Sequence, residues 1–212
     1  MGETADARPV RYERLRADWA EELAALERAT FVTTDPDDLY DADELRALAI
    51  EFPEGCFVVL DAERPVAMGL GVRVDFDLDA PQHRITDIVA AGTTGHDPNG
   101  DWYYGTDICV HPAYRRRGIG RRLYELRKGV CHDQGLRGIV AGGVIPGYAE
   151  HKARLTPDEY IADVRAGRLY DRTLSFQLEN GFEALCALPG YITDPDVDDA
   201  AALIVWHNPE LT

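Results

Sequence analysis

The stretch HPAYRRRGIGRRLYELRK, residues 111–128, gathers seven of the chain's 22 basic residues and only one of its 38 acids. The net charge of the whole chain is −16, so this is a local island of positive charge on an acidic protein. An apolar run, WYYGTDICV (102–110), precedes the island and predicts a strand stopped by Pro112. Gly118–Gln134 predicts a helix, with Ile119, Leu123, Leu126 and Val130 on one face and Gly135 as its C-cap. A helix N-terminus offers unpaired N–H groups and the positive end of the helix dipole. Gly118 and Gly120 would let an anion approach the backbone, and Arg115, Arg116 and Arg117 add fixed charge. These are the parts of a phosphate or diphosphate cradle. A P-loop would continue Gly-Lys-Ser/Thr, but Gly120 is followed by Arg121. A dinucleotide fingerprint would place a third glycine where Leu123 stands.

The elements that must carry this cradle can be read outward from it. GIVAGGVI (138–145) is apolar without alternation and predicts a strand covered on both faces. With 102–134 it makes a strand–helix–strand crossover. Upstream, VRYERL (10–15) predicts a strand. Asp18 is the expected cap of a helix over WAEELAALERA, and 42–50 a second helix. Residues 55–76 predict a hairpin around a turn at Asp61–Pro65. Downstream, Thr156-Pro157-Asp158-Glu159 opens a helix, TLSFQLENG is a short helix ended by Gly181, and FEALCAL and AALIVWH form an antiparallel pair. Residues 1–8 are expected to be a flexible tail. Residues 77–101 and 146–173 are read as inserted loops framing a substrate pocket. The predicted architecture is one α/β domain over 1–212, with a mixed sheet and helices on both faces.

Other chemistries fit less well. DPDVDDA (194–200) starts like a calcium loop, but Asp199 and Val205 stand where glycine and glutamate are required, so it reads as a solvated loop, as does DPDDLYDADE (35–44). The six histidines lack metal-binding spacing, and no metal is expected. Ser175 lacks a nucleophile elbow. Cys56, Cys109, Cys131 and Cys186 have no zinc-type spacing and read as reduced thiols. The acidic balance argues against nucleic acid and anionic membranes as partners. The absence of a signal-like start or a spanning apolar run leads to a cytoplasmic expectation.

The run ICVHPAYRRRGIGRRLY resembles motif A of the GCN5-related N-acetyltransferase (GNAT) superfamily, whose signature is Gln/Arg-x-x-Gly-x-Gly/Ala after a strand ending in Val-x-Pro. SFQLENGFEAL (175–185) resembles that family's later helix–Gly-Phe–strand signature. The resemblance implies a GNAT-like fold, mostly antiparallel around a central crossover. It implies acetyl-CoA as cosubstrate and transfer of its acetyl group to a primary amine of a small molecule or peptide. Residues Arg115, Arg116, Arg117, Gly118, Ile119 and Gly120 would bind the pyrophosphate, and Ile108, Cys109 and Val110 would pair with pantetheine as an added strand would.

Such a transfer needs a neutral amine, so a base assists. Asp107, an acid within an apolar strand, is the candidate base or amine anchor, with Tyr104 a lesser one. The departing thiolate is helped by an acid, and Gln177 stands where the family's pattern leads one to expect tyrosine. A glutamine amide can hydrogen-bond sulfur but is no acid. Tyr148 is the substitute candidate. The alternative reading, favoured by Gln177, is an acyl-CoA-binding regulatory or sensor module with little catalysis. A homodimer is compatible with the sequence.

Overall fold

In the computed structural model, residues 9–89 and 94–211 are described; the expected tail 1–8 and part of the apolar patch in the 77–101 excursion lie outside them. Seven strands form one sheet in the order β1-β2-β3-β4-β5-β7-β6. Strand β1 (Arg11–Arg14) leads to helix α1 (Ala20–Thr30) and helix α2 (Ala42–Glu51). The hairpin of β2 (Phe57–Asp61) and β3 (Arg64–Val74) follows, then a single helical turn, α3 (Ile85–Ile88). Next come β4 (Trp102–Val110), α4 (Ile119–Gln134) and β5 (Gly138–Val144). Helices α5 (Pro157–Arg165) and α6 (Leu174–Glu179) and strands β6 (Glu183–Leu188) and β7 (Ala201–His207) complete the chain.

Every neighbouring pair is antiparallel except β4–β5, which is the parallel crossover. Helices α1 and α4 both pack on β3 and β4, from opposite faces. Helix α4 buries Ile119, Leu123, Tyr124, Arg127, Val130 and Cys131. The sequence reading had Leu126 on this face; it is half-buried, and Arg127 is inside instead.

The local signals mostly act as their chemistry requires. Gly135 takes φ +63 and its N–H closes the end of α4. Thr156 and Glu159 form a reciprocal capping box. Asp18 does not cap α1: it sits inside a one-turn 3-10 segment, and its carboxylate pairs with Arg16 at 2.7 Å. The hairpin turn is tighter than expected, with Asp61 paired to Arg64 and Ala62 at φ +55. Pro65 therefore lies inside β3, next to a register shift that tolerates its missing N–H. The four cysteines are all free thiols. Among the described residues, no helix is long and apolar enough to cross a membrane.

Two acidic stretches read as solvated loops are built into the fold. Asp194 is 8% exposed and accepts hydrogen bonds from the Thr33 hydroxyl and the Asp196 N–H. Within 35–44, Asp35 and Asp41 cap the segments that follow them, and Asp38 accepts from the Thr193 N–H at 2.7 Å. Asx-type caps and long-range ties leave no net signal in the composition, which explains why the charge run alone misleads.

Candidate active site

The parallel pair opens almost as soon as it forms. Strands β4 and β5 are in register only at Tyr103–Ile139 and Tyr104–Val140. From Gly105 to Val110, β4 keeps its pairing with β3 but has no register partner on β5. Meanwhile β5 continues against β7 as far as Val144. The result is a V-shaped gap with free main-chain edges.

A bulge sets the opening. The register of β3 on β4 shifts between Leu70 and Gly71, because Leu70 faces Asp107 while Gly71 faces Gly105. Thr106 is the extra residue. The bulge strands main-chain carbonyls, and the Arg127 guanidinium, 2% exposed, donates to two of them, Leu70 O at 2.5 Å and Asp107 O. Tight approach is possible because Gly69 and Gly105 face this side chain: a Cβ on Gly105 would lie 3.1 Å from Arg127 Nη1. No sequence feature singled out Arg127; a basic residue three positions from Val130 on the apolar face of α4 was the available sign.

Beyond the bulge the ladder is regular. His111 N–H donates to Val66 O at 2.9 Å, so alternation turns the amide groups of Cys109 toward β3 and those of Ile108 and Val110 toward the gap. Ile108 and Val110 therefore offer the pairing edge, whereas Cys109, 2% exposed, contributes its side chain to the core beside α1. Val110 O accepts from Arg115 Nε at 3.1 Å, which anchors the start of the basic loop at the gap.

The loop has left-handed backbone at Arg116 (φ +61) and Gly118 (φ +78), the latter being the N-cap of α4. Gly118 has open space where a Cβ would stand. A Cβ on Gly120 would lie 3.1 Å from the Phe176 ring, so its smallness also seats α6 against α4. Ile119 is buried and holds the helix down. Arg115, Arg116 and Arg117 are exposed, and among the described residues neither they nor Arg121 forms an ion pair. Unspent charge beside free helix N–H groups fits a polyanion such as a diphosphate.

Asp107 is 8% exposed, and its Oδ2 has no hydrogen-bond partner. Burial raises its pKa from 3.8 to about 7, against the lowering influence of Arg127. Glu27 of α1 is 3% exposed, and its Oε2 is also unpartnered. Its pKa is pushed well above the ordinary value, first by burial and then by the charge of Asp107. The two carboxyls form one titrating pair, which keeps a proton where isolated carboxylates would have lost theirs. Sequence reading missed Glu27, because its position on α1 looks like a helix surface.

Tyr104 belongs to a second buried network. Its hydroxyl meets His83 Nε2 at 2.6 Å and the Tyr191 hydroxyl at 3.0 Å. Burial raises the pKa of both tyrosines, to about 12 for Tyr191, and lowers that of His83. At the other wall of the gap, Gln177 is 4% exposed, with Oε1 unpartnered and close to Gly143 of β5. It hydrogen-bonds the Tyr124 hydroxyl, whose pKa burial raises. Tyr148 is 2% exposed, packs on Tyr160 and donates its hydroxyl proton to Leu155 O at 2.9 Å.

Comparison with known proteins agrees with this geometry. A model of the acetyltransferase (GNAT) family matches residues 19–149. The uncharacterised N-acetyltransferase YkwB of Bacillus subtilis is 30% identical over 190 residues, covering 89% of this chain and 84% of YkwB. The probable hydrolase YhcX of the same organism is 37% identical over 159 residues, 74% of this chain, but the match spans only 31% of YhcX. Among solved structures, the loading GNATL domain of CurA from Lyngbya majuscula superposes with a TM-score of 0.81 at 20% identity, covering 96% of this chain and all of that domain. The GphF GNAT-like decarboxylase, solved with isobutyryl-CoA, superposes with a TM-score of 0.76 at 24% identity, covering 93% and 99%.

Proposed function

Because this chain belongs to the GNAT acetyltransferase family, we propose that it transfers an acetyl group from acetyl-CoA to the primary amine of a small molecule or peptide. The observation that carries this reading is the V-shaped gap, whose β4 edge runs directly into a left-handed, arginine-bearing loop at a helix N-terminus. Arg115–Arg117 and the free N–H groups at the start of α4 would hold the diphosphate. Ile108 and Val110 would pair with the pantetheine amides across the gap, with Cys109 keeping the strand seated. The cosubstrate supplies the activated thioester carbonyl.

The residues then manage protons. The amine nitrogen forms a bond to the thioester carbonyl carbon, the C–S bond breaks, and the amine's proton goes to the Asp107 carboxylate. A base with a pKa of about 7 is matched to this task near neutrality. The thiol's own pKa, roughly 8.5 by analogy with cysteine, makes it a tolerable leaving group without full protonation. Gln177, with Tyr124 behind it, would hydrogen-bond the sulfur. The Tyr148 proton is already engaged by Leu155 O.

The absence of a tyrosine at position 177 favours a second reading, an acyl-CoA-binding module with little turnover. A pair of measurements separates the readings. Acetyl-CoA at millimolar concentration should raise the melting temperature, and coenzyme A should be released on adding a panel of primary amines. A thermal shift without release supports the binding module. No thermal shift with acetyl-CoA would overturn both readings.

A further inference from the structure

Next to the bulge on β4, a small cavity of about 40 Å³ opens between α1, α2 and the 35–41 segment. Buried Glu27 and Tyr40 and half-buried Thr106 form its inner wall, and Asp37, Asp38 and Glu44 its rim. Among the described residues, none that lines it is basic. The inner wall is held in shape by a 2.9 Å hydrogen bond from the Tyr40 hydroxyl to the Thr106 hydroxyl. The rim is held by the capping box of α2, in which Glu44 accepts from the Asp41 N–H at 3.0 Å. Four carboxyl groups thus converge on one small space, and the innermost, Glu27, is 97% buried with an oxygen that nothing satisfies.

An unpartnered buried carboxylate is costly unless something pairs with it. The acidic rim selects for positive charge. The inner wall also selects for hydrogen-bond donors, since it presents an unsatisfied carboxylate oxygen beside the Thr106 hydroxyl. A primary ammonium donates three N–H groups to such a wall, whereas a trimethylammonium donates none. Thr106 and Asp107 are consecutive on β4, so a group held against Thr106 is at the bulge where β4 parts from β5.

We propose that this cavity is the acceptor site and that it selects linear primary diamines, with one ammonium against Glu27 and Thr106 and the second positive charge at the rim carboxylates of Asp37, Asp38 and Glu44. This rests on the acetyl-transfer reading above and names its substrate class. Asp107, whose charge is felt at Glu27, then receives the proton of the inner ammonium as it becomes the nucleophile. A carboxylate in place of the second ammonium would face three rim acids, so an ω-amino acid is rejected.

Calorimetric titration of the full chain, with and without saturating coenzyme A, tests the site. The probes are 1,4-diaminobutane, n-butylamine, 4-aminobutanoate and butyltrimethylammonium. The diamine should bind about fivefold tighter than n-butylamine, the worth of an added, partly exposed ion pair. The other two probes should not bind measurably. Glu27→Gln should weaken the diamine at least about tenfold, as loss of a buried charged partner does. Asp37→Asn should reduce the diamine's advantage over n-butylamine, with n-butylamine little changed; Asp37 is exposed and, among the described residues, its carboxylate ties no other segment, so folding is not at stake. Equal binding of all four probes, binding of butyltrimethylammonium, or diamine binding indifferent to both substitutions would overturn the proposal. If coenzyme A binds and the amines do not, the acceptor site fails while the acyl-CoA reading stands. If the diamine binds through Glu27 and coenzyme A does not, the transfer reading fails instead.

Discussion

Replacing Asp107 by asparagine should make the protein more stable and less active, and the stability gain should depend on pH. The carboxyl's pKa rises from 3.8 to about 7 in the folded chain, chiefly through burial. A carboxyl with a raised folded pKa costs nothing at low pH, where it is protonated both folded and unfolded. The cost grows as pH climbs from about 4 and is complete once it passes about 7. At 1.36 kcal/mol for each tenfold change in proton affinity, the full cost is about 4 kcal/mol. Asparagine keeps the shape and removes the ionisation. Denaturant unfolding at pH 8 should therefore show the variant more stable than the native chain by up to about 4 kcal/mol, with Glu27 relieved at the same time because the Asp107 charge no longer opposes its ionisation. At pH 4 the two should agree to within about 1 kcal/mol. Turnover should fall about 10²-fold with acetyl-CoA affinity unchanged, and the rise of the native rate through pH about 7 should disappear. A stability difference of the same size at both pH values would refute the account of a buried, proton-sharing carboxyl. Unchanged kinetics in a folded variant would make Asp107 structural.

Arg127→Met should lower stability by about 3 kcal/mol, because Leu70 O and Asp107 O lose their donor while the burial cost of a cation is relieved. In the same variant the pH–rate limb should move upward, since Arg127 holds the Asp107 pKa down; a limb that stays in place would count against the assignment of that limb to Asp107. Gly118→Ala should cost about 1 kcal/mol for a side chain at φ +78 and raise the KM for acetyl-CoA without a steric clash; an unchanged KM would separate the loop conformation from cosubstrate binding. Tyr148→Phe should lose less than about threefold in turnover and about 1 kcal/mol in stability, whereas Tyr124→Phe should slow turnover by more; the reverse order would return the thiolate's acid to Tyr148. Raising ionic strength should raise the KM for acetyl-CoA, because the unpaired arginines attract it locally; a falling KM would mean that the net charge of −16 governs the encounter instead.

The strand, loop and helix of the proposed cofactor half were legible because their signals are local. A strand, a stop, three arginines, two glycines and an amphipathic helix occupy consecutive residues, and each acts through its own backbone. The crossover and the closing antiparallel pair were legible for the same reason: their periods and turn residues lie within the elements themselves. Even there, local reading left out one neighbour of Gly120, the Phe176 ring, which comes from 56 positions later in the chain. The bulge at Thr106 was not legible. It is a relation between two strands, and its signs, Gly69, Gly105 and the inward-facing Arg127, are spread over three elements.

The acceptor half was hidden for a further reason. Acids on α1, around 37–44 and on β4 are common in a chain with 38 of them, and a charge run on its own is most economically read as a solvated face. Only the fold shows that some of these acids are spent on caps and main-chain ties while Glu27 and Asp107 are left buried with unsatisfied oxygens. The same bulge connects both halves. By inserting Thr106 it parts β4 from β5, which opens the gap proposed for the thioester, and it leaves Asp107 on the α1 side beside Glu27, where the proposed cation would sit. One extra residue in a strand, locked by Arg127, thus brings an arginine-lined edge and a carboxylate-lined cavity to the same few residues of β4. Under the proposed function, the charge asymmetry of the sequence would be the asymmetry of the two substrates, each met by the opposite sign.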